Sequence, residues 1–225
     1  MTIVLDIETG PLPTDRREFT RPDPETFSYG AAKKEDTRLA KFAAGVEAWE
    51  TGDRCALDAK TGRVILCGFC DITRGRREYA TLFADTDSAE DERGMLNNAF
   101  EILDKADVTV GHNVRNFDLR FMVRRAFAVG VVPPPRIIKA LVSRYDPSIV
   151  DTMELYALGD YKSFVSLTHL CGYLGIELPK QDMHGKDFAK VWETDRDKCI
   201  EYNKDDLRAT ADAYSRLTYQ PDRVE

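Results

Sequence analysis

A strict alternation of side chains predicts the first strand of the chain. The segment TIVLDIE places Ile3, Leu5 and Ile7 on one face, and Asp6 and Glu8 on the other. Its apolar body is typical of a strand at the centre of a sheet. Two carboxylates are therefore expected side by side on one face of a buried strand.

Short-range periodicity predicts the remaining elements. They are a β-hairpin over residues 63–83, a strand over 107–112, a strand near Ile149, and helices over 88–105, 116–129, 152–158, 166–174 and 195–217. The run Pro133-Pro134-Pro135 predicts extended backbone after the 116–129 helix. This pattern indicates an α/β fold.

The composition becomes charged and proline-punctuated between about residues 12 and 60, where a helix is expected over 31–50. With 225 residues, of which 43% are hydrophobic, the chain is long enough for one well-buried domain. We expect residues 1–225 to form a single domain that carries a charged insertion at about 12–60.

The composition also bears on the cellular compartment. No run approaches the roughly 18 apolar residues of a membrane span, and no secretory signal is visible. The five cysteines are an odd number without framework spacing, which suits reduced thiols and predicts no disulfide. Cys67 and Cys70, three apart in a strand, are expected to be core thiols on opposite faces. We expect a cytoplasmic protein with no membrane partner.

The formal net charge of −7 argues against a protein that coats nucleic acid by bulk attraction, since such domains usually carry a basic face. If four of the acidic residues hold two dications, however, the formal charge becomes about −3. A nucleic-acid end that docks locally therefore stays compatible with the composition.

The paired carboxylates of the first strand favour a metal site. Asp6 and Glu8 lie about 6.6 Å apart along the backbone, and like charges on a buried strand are costly unless a cation neutralises them. Asp23 and Glu25 repeat the spacing in a proline-flanked loop, so the strand context, rather than the spacing, selects the first pair. Carboxylate oxygens suit hard divalent cations.

Two further acids lie in suitable contexts. In GHNVRNFD, residues 111–118, Asp118 is predicted in the first turn of a helix, where the helix dipole alone would also favour it. His112 as a buried, hydrogen-bonded histidine and Asn113 as a helix cap are ordinary alternatives. On the last helix, Tyr202 and Asp206 are four residues apart and therefore share a face.

In this order, DIETG, HNVRNFD and YNKDD resemble the three motifs of the DEDD exonucleases, the DnaQ-like superfamily of ribonuclease H-like fold. The resemblance covers nearly the whole chain outside the insertion. Tyr202 makes it similar to the tyrosine subgroup, as in proofreading domains of family B polymerases and ribonuclease D. Glu201 stands where the histidine subgroup would have its histidine. TGRVILCGF and DTMELYALGDYKSFVSL look closest to stand-alone, polymerase-B-related exonucleases of bacteria and phages.

The resemblance implies a mixed five-stranded sheet flanked by helices, and a 3′-to-5′ exonuclease that releases nucleoside 5′-monophosphates. Two cations, Mg²⁺ or Mn²⁺, about 3.5 to 4 Å apart would clamp the scissile phosphate. Asp6 would bridge them, Glu8 and Asp206 would complete the nucleophile-side metal, and Asp118 would support the second. Tyr202, with an ordinary pKa of about 10, would orient the attacking water rather than act as a strong base.

The expected substrate is the 3′ end of a nucleic acid, with single-stranded DNA favoured over RNA. Motif position places Thr9, Gly10, His112 and Asn113 in the cradle for the terminal nucleotide. Four arginines are candidate phosphate contacts or members of a solvated helix face: Arg115, Arg120, Arg124 and Arg125. The resemblance also makes a polymerase or another replication protein a candidate partner.

Three other functions remain as alternatives. A structure-selective endonuclease could use the same fold and metals. A non-catalytic, polymerase-associated binding module would be expected to have lost a ligand, and none of the four acids is missing. A small-molecule α/β enzyme is disfavoured because the sequence has no glycine-rich phosphate loop and no nucleophile elbow.

Overall fold

A five-stranded mixed sheet forms the centre of the computed structural model, which describes residues 1–52, 54–143, 145–179 and 183–219. The strands are β1 (Thr2–Pro11), β2 (Gly62–Asp71), β3 (Glu78–Phe83), β4 (Val108–Gly111) and β5 (Ile149–Asp151). Their order is β3-β2-β1-β4-β5, with β1, β2 and β3 antiparallel, and β4 and β5 parallel to β1. This confirms the predicted ribonuclease H-like α/β architecture.

Helices cover both faces of the sheet. In the described part of the chain they are α1 (Glu35–Thr51), α2 (Ala89–Lys105), α3 (Asp118–Val129), α4 (Pro135–Val142), α5 (Thr152–Ala157), α6 (Leu167–Leu174), α7 (Phe188–Trp192) and α8 (Arg196–Leu217). Short 3-10 turns include Asp15–Thr20, Cys55–Leu57 and Gly185–Asp187. The side chains of Ser88 and Asp195 cap α2 and α8, as the sequence pattern of a helix start requires.

The alternation of β1 divides the core into two layers. Ile3, Leu5 and Ile7 pack with α2 and α3, whereas Val4 packs with Leu207 and its neighbours on α8. Asp6 and Glu8 lie on the α8 side because they share the parity of Val4. The carboxylate pair is thereby directed toward the longest helix of the protein.

Three of the expectations about local structure were wrong. Pro135 does not continue extended backbone but begins α4, because proline suits the first helical turn, where its missing N–H is not needed. Helix α3 begins at Asp118 rather than at residue 116, and Asn113 is not its cap. Asn113 adopts a left-handed conformation with φ of 61°, and its carbonyl accepts the N–H groups of Asn116 and Phe117 in a turn that precedes the helix.

All five cysteines are buried free thiols, as expected. Cys67 packs in the α2 and α3 layer and Cys70 in the α8 layer, so their side chains point to opposite faces of β2. Burial raises the pKa of Cys70 to about 11 and keeps it a neutral core side chain. Among the described residues, no helix has the length and apolar character needed to cross a bilayer.

Candidate active site

The acidic cluster lies where β1 extends past the end of β4. Pairing between these strands covers Thr2 to Val4 on β1, and β4 ends at Gly111. The following residues of β1 are therefore open on that side, and α8 crosses above them. Within the described residues, Asp6, Glu8 and Asp206 each offer a carboxylate oxygen, and these oxygens all lie within 4.8 Å of one another.

Helix α8 supplies a second polar contact with β1. The amide of Asn203 donates to Asp6 Oδ2 at 2.7 Å, and the Asn203 side chain is fully buried. This close approach depends on Gly68, which pairs with Asp6 across the β1–β2 ladder. A Cβ built on Gly68 would lie only 1.7 Å from Asn203 Oδ1, so the missing side chain makes room for the amide.

Asp118 reaches the same place from α3. Its Oδ1 accepts the backbone N–H of Ile7 at 3.0 Å, and Ile7 lies between Asp6 and Glu8. The N–H is available because β4 no longer pairs with β1 at this level. Asp118 is outside the trio of oxygens that meet within 4.8 Å, but it is buried beside them with 3% of its surface exposed.

The four carboxylates repel one another, and two of them, Glu8 and Asp118, are buried. Burial is the main reason why the pKa of Asp6 is well above its ordinary value, and the charges of Glu8, Asp118 and Asp206 raise it further. The pKa of Glu8 is also raised well above its ordinary value, first by burial and then by Asp206 and Asp118. Burial raises the pKa of Asp118 to about 7. Divalent cations would relieve this repulsion, and the all-oxygen donor set fits hard ions.

Tyr202 lies one helical turn before Asp206 and faces the same cluster. Burial, followed by the charges of Asp206 and Glu8, raises the pKa of Tyr202 above its ordinary value. Its ring packs edge-on against Phe188 of α7, and its hydroxyl is close to Gly185. At neutral pH, Tyr202 therefore offers a neutral phenol that can donate or accept a hydrogen bond.

Comparison with known families shows the superfamily to which the chain belongs. Residues 55–218 match the family model described as the RNase_H superfamily. The chain belongs to the RNase H superfamily. A search of curated protein sequences returned no significant match.

A solved structure supports the same fold. The family B DNA polymerase from the hyperthermophilic archaeon Pyrobaculum calidifontis matches 97% of this chain with a TM-score of 0.57 and 17% sequence identity. The chain spans only 24% of that polymerase chain. At this identity the likeness shows the fold alone. The RNase H superfamily fold and the acidic cluster together support a metal-dependent nuclease.

The residues expected in the terminal-nucleotide cradle lie in two segments of this RNase H superfamily fold. Thr9 and Gly10 are among the last residues of β1, and His112 and Asn113 follow β4. The hydroxyl of Thr9 donates to the carbonyl of Ala56 at 2.7 Å. Gly10 is buried, and a Cβ there would lie 2.5 Å from Ile65 Cδ1. The Thr9 hydrogen bond attaches the end of β1 to the turn at Cys55–Leu57, and the absence of a side chain at Gly10 makes room for Ile65 of β2.

On the β4 side, both ring nitrogens of His112 are engaged. Nε2 donates to the carbonyl of Val165 at 3.0 Å, and Nδ1 accepts from the hydroxyl of Thr152 at 2.9 Å. Burial lowers the pKa of His112, in accord with a neutral ring. His112 thus holds the turn after β4 in place, and its imidazole is occupied by protein contacts.

Asp151 organises the same turn from β5. Its carboxylate accepts backbone N–H groups from Asn113 at 2.8 Å and Arg115 at 3.1 Å, and it caps α5 through Met153. Asp151 is therefore both the cap of α5 and an acceptor for the turn after β4. Because Asp118 follows that turn directly, Asp151 also positions one of the four acids.

The four arginines divide into two groups. Arg115 is buried and donates to the backbone carbonyls of residues 140, 143, 146 and 149, and Arg125 is buried in an ion pair with Glu92 at 2.7 Å. Neither can contact a phosphate in this arrangement, and neither lies on a solvated face. Arg120 and Arg124 are exposed, as expected for arginines on a solvated helix face.

Asn203 and Gly68 are the site residues that sequence reasoning did not assign. The signal for Asn203 was its place on the stripe of α8 that contains Asp206, since a buried amide needs a partner. No local signal pointed to Gly68. Its importance comes from the register of β2 against β1 and from the position of α8.

Proposed function

We propose that this chain is a two-metal-ion 3′-to-5′ exonuclease that shortens single-stranded DNA and releases nucleoside 5′-monophosphates. The meeting of the Asp6, Glu8 and Asp206 oxygens within 4.8 Å carries the proposal. Asp118 beside that trio and Tyr202 one turn before Asp206 complete the set that resembles the tyrosine subgroup of DEDD exonucleases. The structural likeness to a family B DNA polymerase supports the same assignment.

In this proposal, Asp6, Glu8 and Asp206 would hold one divalent cation, and Asp118 would support a second together with Asp6. Mg²⁺ or Mn²⁺ at such a site would supply positive charge for the phosphate, the attacking water and the leaving 3′ oxygen. Ion binding reverses the raised pKa values, because the charged carboxylates then gain a counter-charge.

The side chains of the protein position the reacting groups. The Tyr202 phenol stays protonated and orients the attacking water through a hydrogen bond. Asn203 holds Asp6 by its Oδ2 and leaves the other oxygen for a cation. Asp151 and His112 keep the turn before Asp118 in one conformation, which fixes the geometry of the fourth acid.

Selection of a 3′ end is proposed to come from two chain segments, the last residues of β1 and the residues that follow β4. Thr9 and Gly10 lie on one side of the acids, and His112 and Asn113 on the other. A terminal nucleotide between them would place its phosphate over the carboxylates. Proofreading or repair in contact with a polymerase would be a role for such an enzyme.

The experiment that tests this function uses 5′-labelled single-stranded DNA and RNA oligonucleotides with Mg²⁺ or Mn²⁺. We expect a ladder that shortens from the 3′ end, is faster on DNA, and is abolished by a chelator and by Asp6→Ala. The matched control is Asp23→Ala, which removes an exposed acid of the same D-x-E spacing and should leave activity unchanged.

Two outcomes would replace the proposal. Internal cleavage of an oligonucleotide with a blocked 3′ end would favour a structure-selective endonuclease. If no substrate is cut and calorimetry detects no binding of Mg²⁺ or Mn²⁺, the chain is a non-catalytic nucleic-acid-binding module.

A further inference from the structure

A cavity of about 880 Å³ lies between α3 and the β1–β2 connection, residues 12–61. We call it the α3 groove. One wall is formed by Phe117, Phe121 and Arg124, and the other includes Phe19 and Leu57 from the β1–β2 connection. The proposed catalytic residues do not line it, so it is a separate feature of the surface.

Both walls of the α3 groove are connected to the proposed site through the chain. Phe117 lines the groove and directly precedes Asp118. On the opposite wall, the carbonyl of Ala56 accepts the hydroxyl of Thr9, one residue after Glu8. On each wall, the groove is therefore lined by a residue next in the chain to one that belongs to the proposed site or contacts it, Phe117 before Asp118 and Leu57 after Ala56.

Apolar and aromatic side chains are left in contact with water along this groove. Phe19 is 74% exposed, Leu57 is 65% exposed and Phe117 is partly exposed, whereas Phe121, whose ring lies 5.6 Å from that of Phe117, is buried beneath them. Unpaired bases stack on such aromatic faces, whatever their sequence. In a duplex the base faces are already stacked on one another, so the aromatic surface favours a single strand.

The charge of the groove is opposite to that of the whole protein. Four cations line it: Arg16, Lys60, Arg124 and Arg125. Two carboxylates oppose them, Glu92 through its ion pairs and Asp58 at 3.6 Å from Lys60. In the part of the chain that the structure describes, no ion pair holds Arg124. A locally basic groove on a chain of charge −7 complements a phosphate backbone.

We propose that the α3 groove binds the single-stranded nucleic acid that precedes the 3′-terminal nucleotide. Bases would stack on Phe19 and Phe117, while Lys60 and Arg124 on opposite walls would contact phosphates. The β1–β2 connection thereby guides the strand to the site. This proposal rests on the proposed function, since it places the strand relative to the exonuclease centre.

The test measures binding and catalysis separately with the full chain. Fluorescence anisotropy with labelled oligo-dT in EDTA should show about tenfold weaker binding for Phe19→Ala, the loss of one stacked base. For Arg124→Gln, the slope of log K against log salt should fall by about 0.7, the loss of one phosphate contact.

Matched controls come from the same helix. Phe127→Ala removes an exposed phenylalanine, and Arg120→Gln removes an exposed arginine, and neither residue lines the groove. Both controls should bind oligo-dT as the wild type does. The p-nitrophenyl ester of thymidine 5′-monophosphate is a single nucleotide, too short to extend from the acids into the groove. Its hydrolysis should be the same in the wild type, the two groove variants and the two controls.

The outcomes separate the two proposals. If the groove variants bind like the controls while the ester is hydrolysed, the α3 groove proposal is overturned and the exonuclease stands. A blunt duplex that competes as well as the single strand would likewise overturn it. If the wild type binds oligo-dT through the groove but hydrolyses neither ester nor oligonucleotide, the proposed function fails and the binding site stands.

Discussion

Asp6 keeps its position through a hydrogen bond from a buried amide rather than through a positive charge. Asn203 donates to it, while Glu8, Asp118 and Asp206 repel it. An arginine in place of Asn203 would neutralise the acids and compete with a cation. An amide orients the carboxylate and leaves its charge available, so the site stays attractive to metal ions.

At the same scale, Tyr202 is predicted to contribute one oriented hydrogen bond to the reaction. Tyr202→Phe should lower kcat about ten- to hundredfold, which corresponds to the loss of one hydrogen bond to a group that carries or develops a charge. Cation binding should be unchanged, because the phenol is neutral and offers a cation no charge. The measurements are ester hydrolysis and calorimetry with Mn²⁺.

The control is Tyr214→Phe, on the same helix and packed against the core rather than the acids. It should leave kcat unchanged. Since the pKa of Tyr202 is raised, the pH profile of the wild type should show no tyrosine ionisation up to about pH 9. If Tyr202→Phe removes a limb of the profile below that pH, Tyr202 acts as a base.

Between elements, the contact of α8 with β1 and β2 depends on the absence of a side chain. Gly68 on β2 faces Asn203 on α8, and this packing brings Asp206 to the strand that holds Asp6 and Glu8. The contact joins a residue in the first third of the chain with residues in its last tenth.

We therefore predict that Gly68→Ala weakens cation binding without contacting a cation. The added Cβ would occupy the position of Asn203 Oδ1 and displace the amide from Asp6. Calorimetry with Mn²⁺ should show affinity lowered about tenfold or more, in the range found when a group that orients a metal ligand is removed. Activity should fall in parallel.

The control for this substitution is Gly94→Ala. Gly94 lies within α2, where an added Cβ meets no atom within 4 Å and alanine favours the helix. It should preserve metal affinity and slightly raise the unfolding temperature. Unchanged Mn²⁺ affinity in Gly68→Ala would mean that Asn203 does not orient the acid.

For the whole molecule, the acidic site opposes folding until a cation is present. Carboxylates from the beginning, middle and end of the chain are held together by the hydrophobic layers on the two faces of the sheet. Their raised pKa values mean that the folded protein binds more protons than the unfolded chain. Cation binding and stability are therefore linked.

The linkage predicts a pH dependence that Asp118→Asn should alter. The pKa of Asp118 rises from 3.8 to about 7 on folding, so its contribution to the free energy of unfolding falls as pH rises through that window. His112, with its lowered pKa, acts in the opposite sense in both proteins. In EDTA, the unfolding temperature of the wild type relative to Asp118→Asn should therefore decrease from pH 4.5 to 7.5.

A saturating concentration of cation should raise the unfolding temperature of the wild type relative to that of Asp118→Asn. At 100 times its Kd, a cation stabilises the folded state by about 2.7 kcal/mol, and Asp118→Asn should gain less because it has lost one ligand charge. The asparagine oxygen can still accept the N–H of Ile7, so the local structure is retained. A wild type whose relative stability in EDTA increases from pH 4.5 to 7.5 would contradict this account.

Sequence periodicity was sufficient to predict most of the strands and helices, because periodicity is a property of neighbouring residues. The strand at residues 2–8, the hairpin and the long last helix all followed from spacings of two or four residues. The predicted start of α3 was two residues early and that of α1 four residues early, and α4 and α7 were missed. The errors at α3 and α4 occurred at turns, where a left-handed Asn113 and a proline at a helix start replaced the expected conformations.

The sequence by itself determined the α/β class, the face of β1 that carries Asp6 and Glu8, and the candidate acids, since these depend on local pattern and motif. Only the tertiary structure decided that Asn203 reaches Asp6 over Gly68, and that Arg125 is neutralised by Glu92 while Arg124 faces the α3 groove. The physical reason is that burial and ion pairing depend on which distant segments meet, and no short-range pattern encodes those meetings.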